Sequence, residues 1–213
     1  MNAPLIKICG LSTTESIDAA LAAQASHIGL VFFSKSPRNV SIEQAAALAL
    51  HARGRAKVVG LFVDPEDGLL ASVRASVPLD ILQLHGKEAP ARVAQIRAAH
   101  GLEVWKAIGV RKTEDMAAAQ PYVGAADRIL YDAKPPEGSL LPGGTGLRID
   151  WGLMQGWRHP LPWLLAGGLD PANVAEAMSI TGAMGVDVSS GVESAPGVKD
   201  LAKIAAFCRA ALG

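Results

Sequence analysis

A single cysteine near the start of the chain has the setting of a reactive thiol. Cys9 ends the apolar run LIKIC, and Lys7 precedes it by two residues. Because side chains alternate across a strand, the two residues would share a face, and a nearby ammonium group would favour the thiolate. The sequence therefore offers Cys9 as a base or nucleophile, with an inert thiol packed as a small hydrophobe as the alternative.

A second candidate group for proton transfer is Asp132. It follows the apolar run ILY and precedes Ala133 and Lys134. Its carboxyl would emerge at a partly desolvated rim, where burial keeps a carboxylic acid protonated long enough to donate. The alternatives are a loop cap or an ion pair with Lys134.

Three clusters of small residues indicate phosphate binding. They are PGGTG at 142–146, AGGL at 166–169 and SSG at 189–191, and the run SSGVES could add a short extra turn before the last helix. Phosphate binds where backbone amides can approach it closely, commonly after the seventh and eighth strands of a barrel. The candidate phosphate-binding residues are Gly144, Gly146, Gly167, Gly168, Ser189, Ser190 and Gly191.

Three further polar residues lie after, at the end of or within predicted strands: Arg38 follows the second strand, His85 follows the fourth and Asp187 lies in the eighth. Arg38 follows the stiff residue Pro37, and its guanidinium fork suits a carboxylate, although a solvated surface arginine is the alternative. His85 ends LQLH and could titrate near neutrality, or serve only a structural role. Asp187 lies in the eighth predicted strand. No cluster of His, Cys or carboxylate residues has metal-ligand spacing, so no metal is expected.

Repeated strand and helix units must position these residues, because apolar runs alternate with alanine-rich segments of helical period. The predicted strands are 5–9, 27–32, 57–62, 80–84, 103–108, 128–132, 163–166 and 185–188. The predicted helices are 14–24, 41–52, 66–76, 88–99, 112–120, 150–157, 171–180 and 198–211. Eight right-handed crossovers in succession can close a parallel sheet, which predicts a (β/α)8 TIM barrel of the α/β class with reacting groups at the C-terminal strand ends.

The chain is expected to form one domain over residues 1–213, because half of it is apolar and no polar linker divides it. At about 27 residues per unit the loops must be short, and the helix after the sixth strand is expected to be stunted. A doubly wound open sheet is the alternative, but KICGLS lacks the second and third glycines of its fingerprint.

Composition restricts the class of partner. Twenty basic residues balance twenty acidic ones, so the chain lacks the positive field that binds nucleic acid or an anionic membrane. Two cysteines are too few for a disulfide framework, and no window reaches the ~18 apolar residues of a spanning helix. We therefore expect a cytoplasmic protein whose partner is a small molecule.

Seven motifs, in order along the chain, resemble those of the phosphoribosylanthranilate isomerases of tryptophan biosynthesis. They are KICG at 7–10, SPR at 36–38, LQLHG at 82–86, GGTG at 143–146, AGGL at 166–169, VDVSSGVE at 186–193 and PGVKD at 196–200. The chain departs from the family in AKPPEGSLLP after Asp132, which is longer than in many relatives, and in LRIDW, where a lysine often appears.

The resemblance implies an Amadori rearrangement of N-(5-phosphoribosyl)anthranilate, with Asp132 as general acid and Cys9 as general base. It places Arg38 against the anthranilate carboxylate and Asp187 near the amine or a hydroxyl, with His85 among the substrate-binding residues. It implies no cofactor, because the cationic imine is itself the electron sink. The oligomeric state is left open between monomer and homodimer. The alternatives are an isomerase or lyase for another phosphorylated sugar, a non-catalytic phosphate-binding protein and a redox thiol protein.

Overall fold

The computed structural model describes residues 3–134, 143–144 and 146–213. Eight parallel strands close into a barrel in sequence order, which confirms the predicted (β/α)8 class. The barrel strands are β1 (Leu5–Cys9), β2 (His27–Phe32), β3 (Lys57–Phe62), β4 (Ile81–Leu84), β5 (Glu103–Val110), β6 (Arg128–Ala133), β7 (Trp163–Leu165) and β8 (Gly185–Val188). The α-helices are α1 (Thr14–Ala22), α2 (Ile42–Ala52), α3 (Asp67–Ser76), α4 (Pro90–His100), α5 (Val174–Thr181) and α6 (Leu201–Leu212).

Strand β1 closes the barrel, because it pairs with both β2 and β8. Lys7 lies opposite His27 on one side and opposite Asp187 on the other. Alternate residues point inward, so Lys7 and Cys9 face the interior together, as their spacing predicted. The large apolar core lies between the sheet and the helices, and a smaller cluster fills the barrel itself around Val59, Trp105 and Leu164.

Two of the predicted helices are not α-helices. The predicted helix 112–120 is a 3₁₀ helix, Thr113–Tyr122, which contains Pro121; a proline both removes an N–H donor and disfavours the α conformation of the residue before it. The predicted helix 150–157 shrinks to a four-residue 3₁₀ helix, Trp151–Met154. The expectation of a stunted element after the sixth strand is therefore confirmed.

The last two helices begin later than predicted. The segment 171–173 precedes α5 as a turn, in which the Asp170 side chain accepts hydrogen bonds from the N–H groups of Ala172 and Asn173. Before α6, a short hairpin forms from β9 (Glu193–Ala195) and β10 (Val198–Lys199). The extra turn expected after β8 is present as the 3₁₀ helix Ser190–Val192.

Hydroxyl side chains cap the first two α-helices. The Thr13 hydroxyl accepts from the N–H of Ser16, and the Ser41 hydroxyl accepts from the N–H of Gln44, which satisfies free amides at each helix start. No helix within the described ranges is long and apolar enough to cross a membrane.

Candidate active site

A cleft of about 710 Å³ opens at the C-terminal end of the barrel. It is lined by Cys9, Arg38, His85, Asp132 and Asp187, and also by the candidate phosphate-binding residues Gly144, Gly146, Gly167, Gly168, Ser189 and Ser190. Of the predicted site residues, Gly191 alone does not line the cleft. A side chain at Gly191 would collide with the carbonyl oxygen of Leu169, so this glycine allows two loops to pack together.

A buried ion pair lies beside the thiol. Lys7 Nζ is 2.8 Å from Asp187 Oδ1, and the lysine side chain is completely buried. Gly29 leaves room for this arrangement, because a Cβ there would be 2.9 Å from Cys9 Sγ and 3.1 Å from Lys7 Nζ. Burial alone would lower the pKa of Lys7, but Asp187 and Cys9 outweigh it and raise that pKa, so the ammonium form is retained.

The ammonium group does not make Cys9 a ready thiolate. Burial raises the pKa of the Cys9 thiol, the charge of Lys7 lowers it, and the charge of Asp187 raises it again, with a net increase. Lys7 therefore favours the thiolate, as its position predicted, but burial of the thiol outweighs that effect and Asp187 opposes it. Cys9 is only 4% exposed, and burial disfavours the charged form.

Asp132 faces His85 across the cleft floor. Asp132 Oδ1 accepts a hydrogen bond from the N–H of Ala133 at 2.8 Å, and Asp132 Oδ2 lies 3.2 Å from His85 Nε2. A side chain at Gly143 would collide with Asp132 Oδ2 and come within 2.7 Å of His85 Nε2. The loop after β6 thus covers the pair closely only because residue 143 is glycine. Asp132 does not pair with Lys134, whose Nζ lies 3.4 Å from Asp115.

Arg38 is a buried residue, not a solvated one, and its fork already holds a carboxylate. Its Nε donates to Glu193 Oε1 at 2.7 Å and its Nη2 donates to Glu193 Oε2 at 2.8 Å. Its stem packs against Gly10, where a Cβ would lie 2.6 Å from Arg38 Cδ. Arg38 Nη1 lies close to Gly144 at the cleft wall, because a Cβ at residue 144 would be only 2.8 Å from Nη1.

Glu193 and Lys199 are not among the residues that line the cleft, but they hold two residues that are, Arg38 and Ser189, and sequence reasoning did not identify them. Lys199 Nζ is 2.8 Å from Glu193 Oε1 and 2.9 Å from the carbonyl oxygen of Ser189, while the Ser189 hydroxyl donates to the Cys9 carbonyl. Burial would raise the pKa of Glu193, but Arg38 and Lys199 outweigh it and lower that pKa, so the carboxylate is ionised. Glu193 lies in the motif VDVSSGVE and Lys199 lies in the motif PGVKD. These two motifs were the sequence signal from which the two residues could have been found.

The small-residue loops converge at one end of the cleft. Gly144, Gly146, Gly167 and Gly168 all have φ between +67° and +84°, a region that favours glycine. A Cβ at Gly168 would lie 2.8 Å from the carbonyl oxygen of Leu147, so the loops after β6 and β7 approach through their backbones. This arrangement suits a phosphate group. The departures from the family expected in AKPPEGSLLP fall largely on residues 135–142, which lie outside the described residues, as does Thr145.

The site combines a thiol, a carboxyl paired with an imidazole, a buried arginine and a backbone cradle for an anion. Among the residues that the structure covers, no group of three or more His, Cys, Asp or Glu side chains could hold a metal ion. Fold and site together define a (β/α)8-barrel protein with a polar cleft at the C-terminal ends of its strands, the place where enzymes of this fold carry their active sites.

Comparisons with known proteins agree with this class. A family model described as N-(5′-phosphoribosyl)anthranilate isomerase matches residues 6–210. The N-(5′-phosphoribosyl)anthranilate isomerase of Paramagnetospirillum magneticum is 54% identical over 208 residues, which are 98% of this chain and 97% of the relative. The chain therefore belongs to the N-(5′-phosphoribosyl)anthranilate isomerase family, and the resemblance inferred from the seven motifs is confirmed.

Solved structures extend the agreement to the fold. The crystal structure of the phosphoribosylanthranilate isomerase from Thermotoga maritima matches with a TM-score of 0.87 and 35% identity over 98% of each chain. Another crystal structure of such an isomerase, in complex with reduced 1-(o-carboxyphenylamino)-1-deoxyribulose 5-phosphate, matches with a TM-score of 0.84 and 33% identity over 98% of each chain.

Proposed function

We propose that this chain converts N-(5-phosphoribosyl)anthranilate to 1-(2-carboxyphenylamino)-1-deoxyribulose 5-phosphate by an Amadori rearrangement, with Asp132 as general acid and Cys9 as general base. The observation that carries this proposal is that Cys9 from β1 and Asp132 from β6 open onto one cleft. The phosphate cradle forms part of the same cleft. The analogue bound to a related isomerase is a reduced form of the proposed product.

The first step opens the furanose ring. Asp132 Oδ2 gives its proton to the ring oxygen while the bond from that oxygen to C1 breaks, and the electron pair of the anilino nitrogen forms the C1 imine. Asp132 Oδ1 is held by the N–H of Ala133, so Oδ2 is the oxygen oriented for donation. A positioned acid contributes about 10²- to 10⁴-fold.

The second step removes the proton from C2. The cationic imine draws the electrons of that C–H bond into a C1–C2 double bond, and the Cys9 thiolate takes the proton. The resulting enolamine tautomerises to the ketone. Because burial raises the pKa of Cys9, the thiol must first release its proton to solvent through the cleft that it lines. The Lys7 ammonium group is the neighbouring charge that stabilises the resulting thiolate.

The remaining groups position the substrate. The backbone at Gly167, Gly168, Ser189 and Ser190 would hold the phosphate, with each charge-assisted hydrogen bond contributing about 1.5 to 3 kcal/mol. Glu193 occupies Nε and Nη2 of Arg38, so the anthranilate carboxylate would meet the Nη1 side. Asp187, held by Lys7, would accept from the anilino N–H or a sugar hydroxyl.

Kinetics of two variants test the roles of the acid and the base. Cys9→Ala should abolish turnover, yet bind the reduced product analogue nearly as well as the parent protein. Asp132→Asn should lower kcat far more than it raises KM. The assay follows the loss of phosphoribosylanthranilate and is coupled to the next enzyme of the pathway. Near-normal turnover by Cys9→Ala would remove the thiol from the mechanism, and an Asp132→Asn effect confined to KM would make that residue a binding group.

A further inference from the structure

Lys199 on β10 contacts the loop that follows β8, which forms one side of the proposed phosphate cradle. Its side chain is only 2% exposed, and it is not among the residues that line the cleft, whereas Ser189 and Ser190 are. Lys199 therefore holds this loop from the side that faces away from the cleft. The proposed reaction assigns it no contact with the substrate.

The ammonium group of Lys199 contacts three acceptors, and two of them belong to one residue. Lys199 Nζ is 2.9 Å from the carbonyl oxygen of Ser189, 3.3 Å from the Ser189 hydroxyl oxygen and 2.8 Å from Glu193 Oε1. Burial lowers the pKa of Lys199 and the Glu193 carboxylate opposes that effect, while three acceptors match the three donors of the ammonium form. The Ser189 hydroxyl in turn donates to the carbonyl oxygen of Cys9 at 3.1 Å. The backbone and the side chain of Ser189 are thus held together.

The contact with the Ser189 carbonyl group determines the direction of the next N–H group. The C=O of Ser189 and the N–H of Ser190 belong to one planar trans peptide, so they point in opposite directions. Because Lys199 holds the carbonyl oxygen on the side away from the cleft, the N–H of Ser190 is turned towards the cleft. Ser190 is also the first residue of the 3₁₀ helix, so its N–H group has no acceptor within that helix.

We propose that Lys199 is a positioning residue for phosphate binding: by holding the carbonyl oxygen of Ser189, it keeps the N–H of Ser190 directed at the phosphate group of the substrate. This inference rests on the proposed phosphate cradle, and it names the side chain that orients one of the donors of that cradle. Without Lys199, the peptide between residues 189 and 190 can rotate and turn its N–H away from the anion. Binding would then have to order the loop, and the cost of that ordering weakens affinity.

The first test uses the unaltered protein, with inorganic phosphate as the probe. The protein is labelled with nitrogen-15 serine, and the Ser190→Ala variant assigns the Ser190 amide because its signal disappears from the spectrum. We expect phosphate to move the Ser190 amide proton downfield, as an N–H group does when it donates to an anion. An amide proton that stays in place at the highest phosphate concentration would overturn the proposal, and this result does not depend on whether any Lys199 variant folds.

The second test measures ligand binding in Lys199→Met, which keeps an unbranched side chain and removes the ammonium group. The two probes are the reduced product analogue and its dephosphorylated form, and calorimetric titration gives the Kd of each. The Kd of the phosphorylated probe should rise at least about 10-fold, which corresponds to one charge-assisted hydrogen bond, and that of the dephosphorylated probe less than about 2-fold. Equal weakening of both probes would mean that Lys199 acts through Glu193 on Arg38, and would refute the proposal.

The size of the Ser190 amide shift separates orientation of the N–H group from attraction by charge. At saturating phosphate, the shift should be much smaller in Lys199→Met than in the parent protein, because the N–H group is no longer held towards the anion. A weaker affinity together with an undiminished shift at saturation would mean that Lys199 attracts the phosphate only by its charge. That result would refute the positioning role.

Lys203→Met is the matched control. Lys203 Nζ also donates to a carbonyl oxygen of the hairpin, that of Glu193 at 2.8 Å, but Lys203 is exposed on α6. The control removes the same charge and a similar hydrogen bond, so the Kd of both probes should change less than about 2-fold. A loss of phosphate affinity as large as in Lys199→Met would refute the proposal. Neither test depends on turnover, so a chain that shows the Ser190 shift but does not consume phosphoribosylanthranilate would contradict the proposed function alone.

Discussion

Glu193 anchors two buried cations, and its substitution is the most informative perturbation of this site. The side chains of Glu193, Arg38 and Lys199 are only 4%, 7% and 2% exposed. Removal of one partner from a buried ion pair costs about 3 to 5 kcal/mol. In Glu193→Gln the amide oxygen can still accept one hydrogen bond, so we expect a loss at the lower end, about 3 kcal/mol, in the free energy of unfolding.

The measurement combines thermal unfolding with steady-state kinetics. For a chain of this length, about 3 kcal/mol lowers Tm by roughly 6 to 12 °C. Arg38 would also lose its fixed orientation, so KM for the substrate should rise about 10-fold, the equivalent of about 1.4 kcal/mol, with a smaller change in kcat. The kinetic assay should be run well below the lowered Tm, so that unfolding does not imitate weak binding.

Asp18→Asn is the matched control. Asp18 Oδ1 lies 2.7 Å from His51 Nε2 and 3.4 Å from Arg55 Nη1, but the Asp18 side chain is 54% exposed, and exposed pairs contribute about 0 to 1 kcal/mol. The Tm of the Asp18→Asn variant should change little, and its KM for the substrate should not change. If Glu193→Gln and Asp18→Asn lowered Tm equally, or if KM were unchanged in Glu193→Gln, the argument that Glu193 holds Arg38 in place for the substrate would be refuted.

Three further outcomes are expected. In a Cys208→Ser background, alkylation of Cys9 by iodoacetamide should rise with pH with a midpoint above the about 8.5 of an ordinary thiol, because burial raises the pKa of this thiol and the thiolate is the reactive form; a midpoint at or below that of an ordinary thiol would contradict this. Gly143→Ala should lower kcat at least 10-fold, because the new Cβ would collide with Asp132 Oδ2, and normal kinetics would show that the loop adjusts freely. Gly191→Ala should lower the free energy of unfolding by about 1 to 3 kcal/mol through overpacking against the Leu169 carbonyl oxygen, which denaturant titration can measure.

The strand pattern explains why the architecture was predictable. The bounds of β1, β2, β3 and β8 agree with the predicted strands, because a run of apolar residues between glycine or polar residues is a local signal. The weaker predictions concern the fifth and sixth connections. There the alanine-rich segment before Pro121 forms a 3₁₀ helix, and only four residues of the predicted helix 150–157 become helical. Local pattern does not report how much space the barrel leaves for a helix.

The candidate residues were also predictable, but their partners were not. Residues at the C-terminal ends of barrel strands meet at one face, so Cys9, His85 and Asp132 could be selected from position alone. That Arg38 binds the anthranilate carboxylate stays a prediction. Within the protein, its guanidinium group donates to a carboxylate that the sequence did not indicate, that of Glu193, 155 residues further along the chain.

By itself, the sequence determined the barrel, its inward-facing residues and the small-residue loops, because strand alternation and glycine conformations are properties of short segments. Only the tertiary structure decided the charge states. The Lys7 ammonium group is compensated by Asp187 from the neighbouring strand β8, and the Cys9 thiol is buried. Ionisation depends on distances between charges and on exclusion of water, and both arise only when strands far apart in sequence pack together.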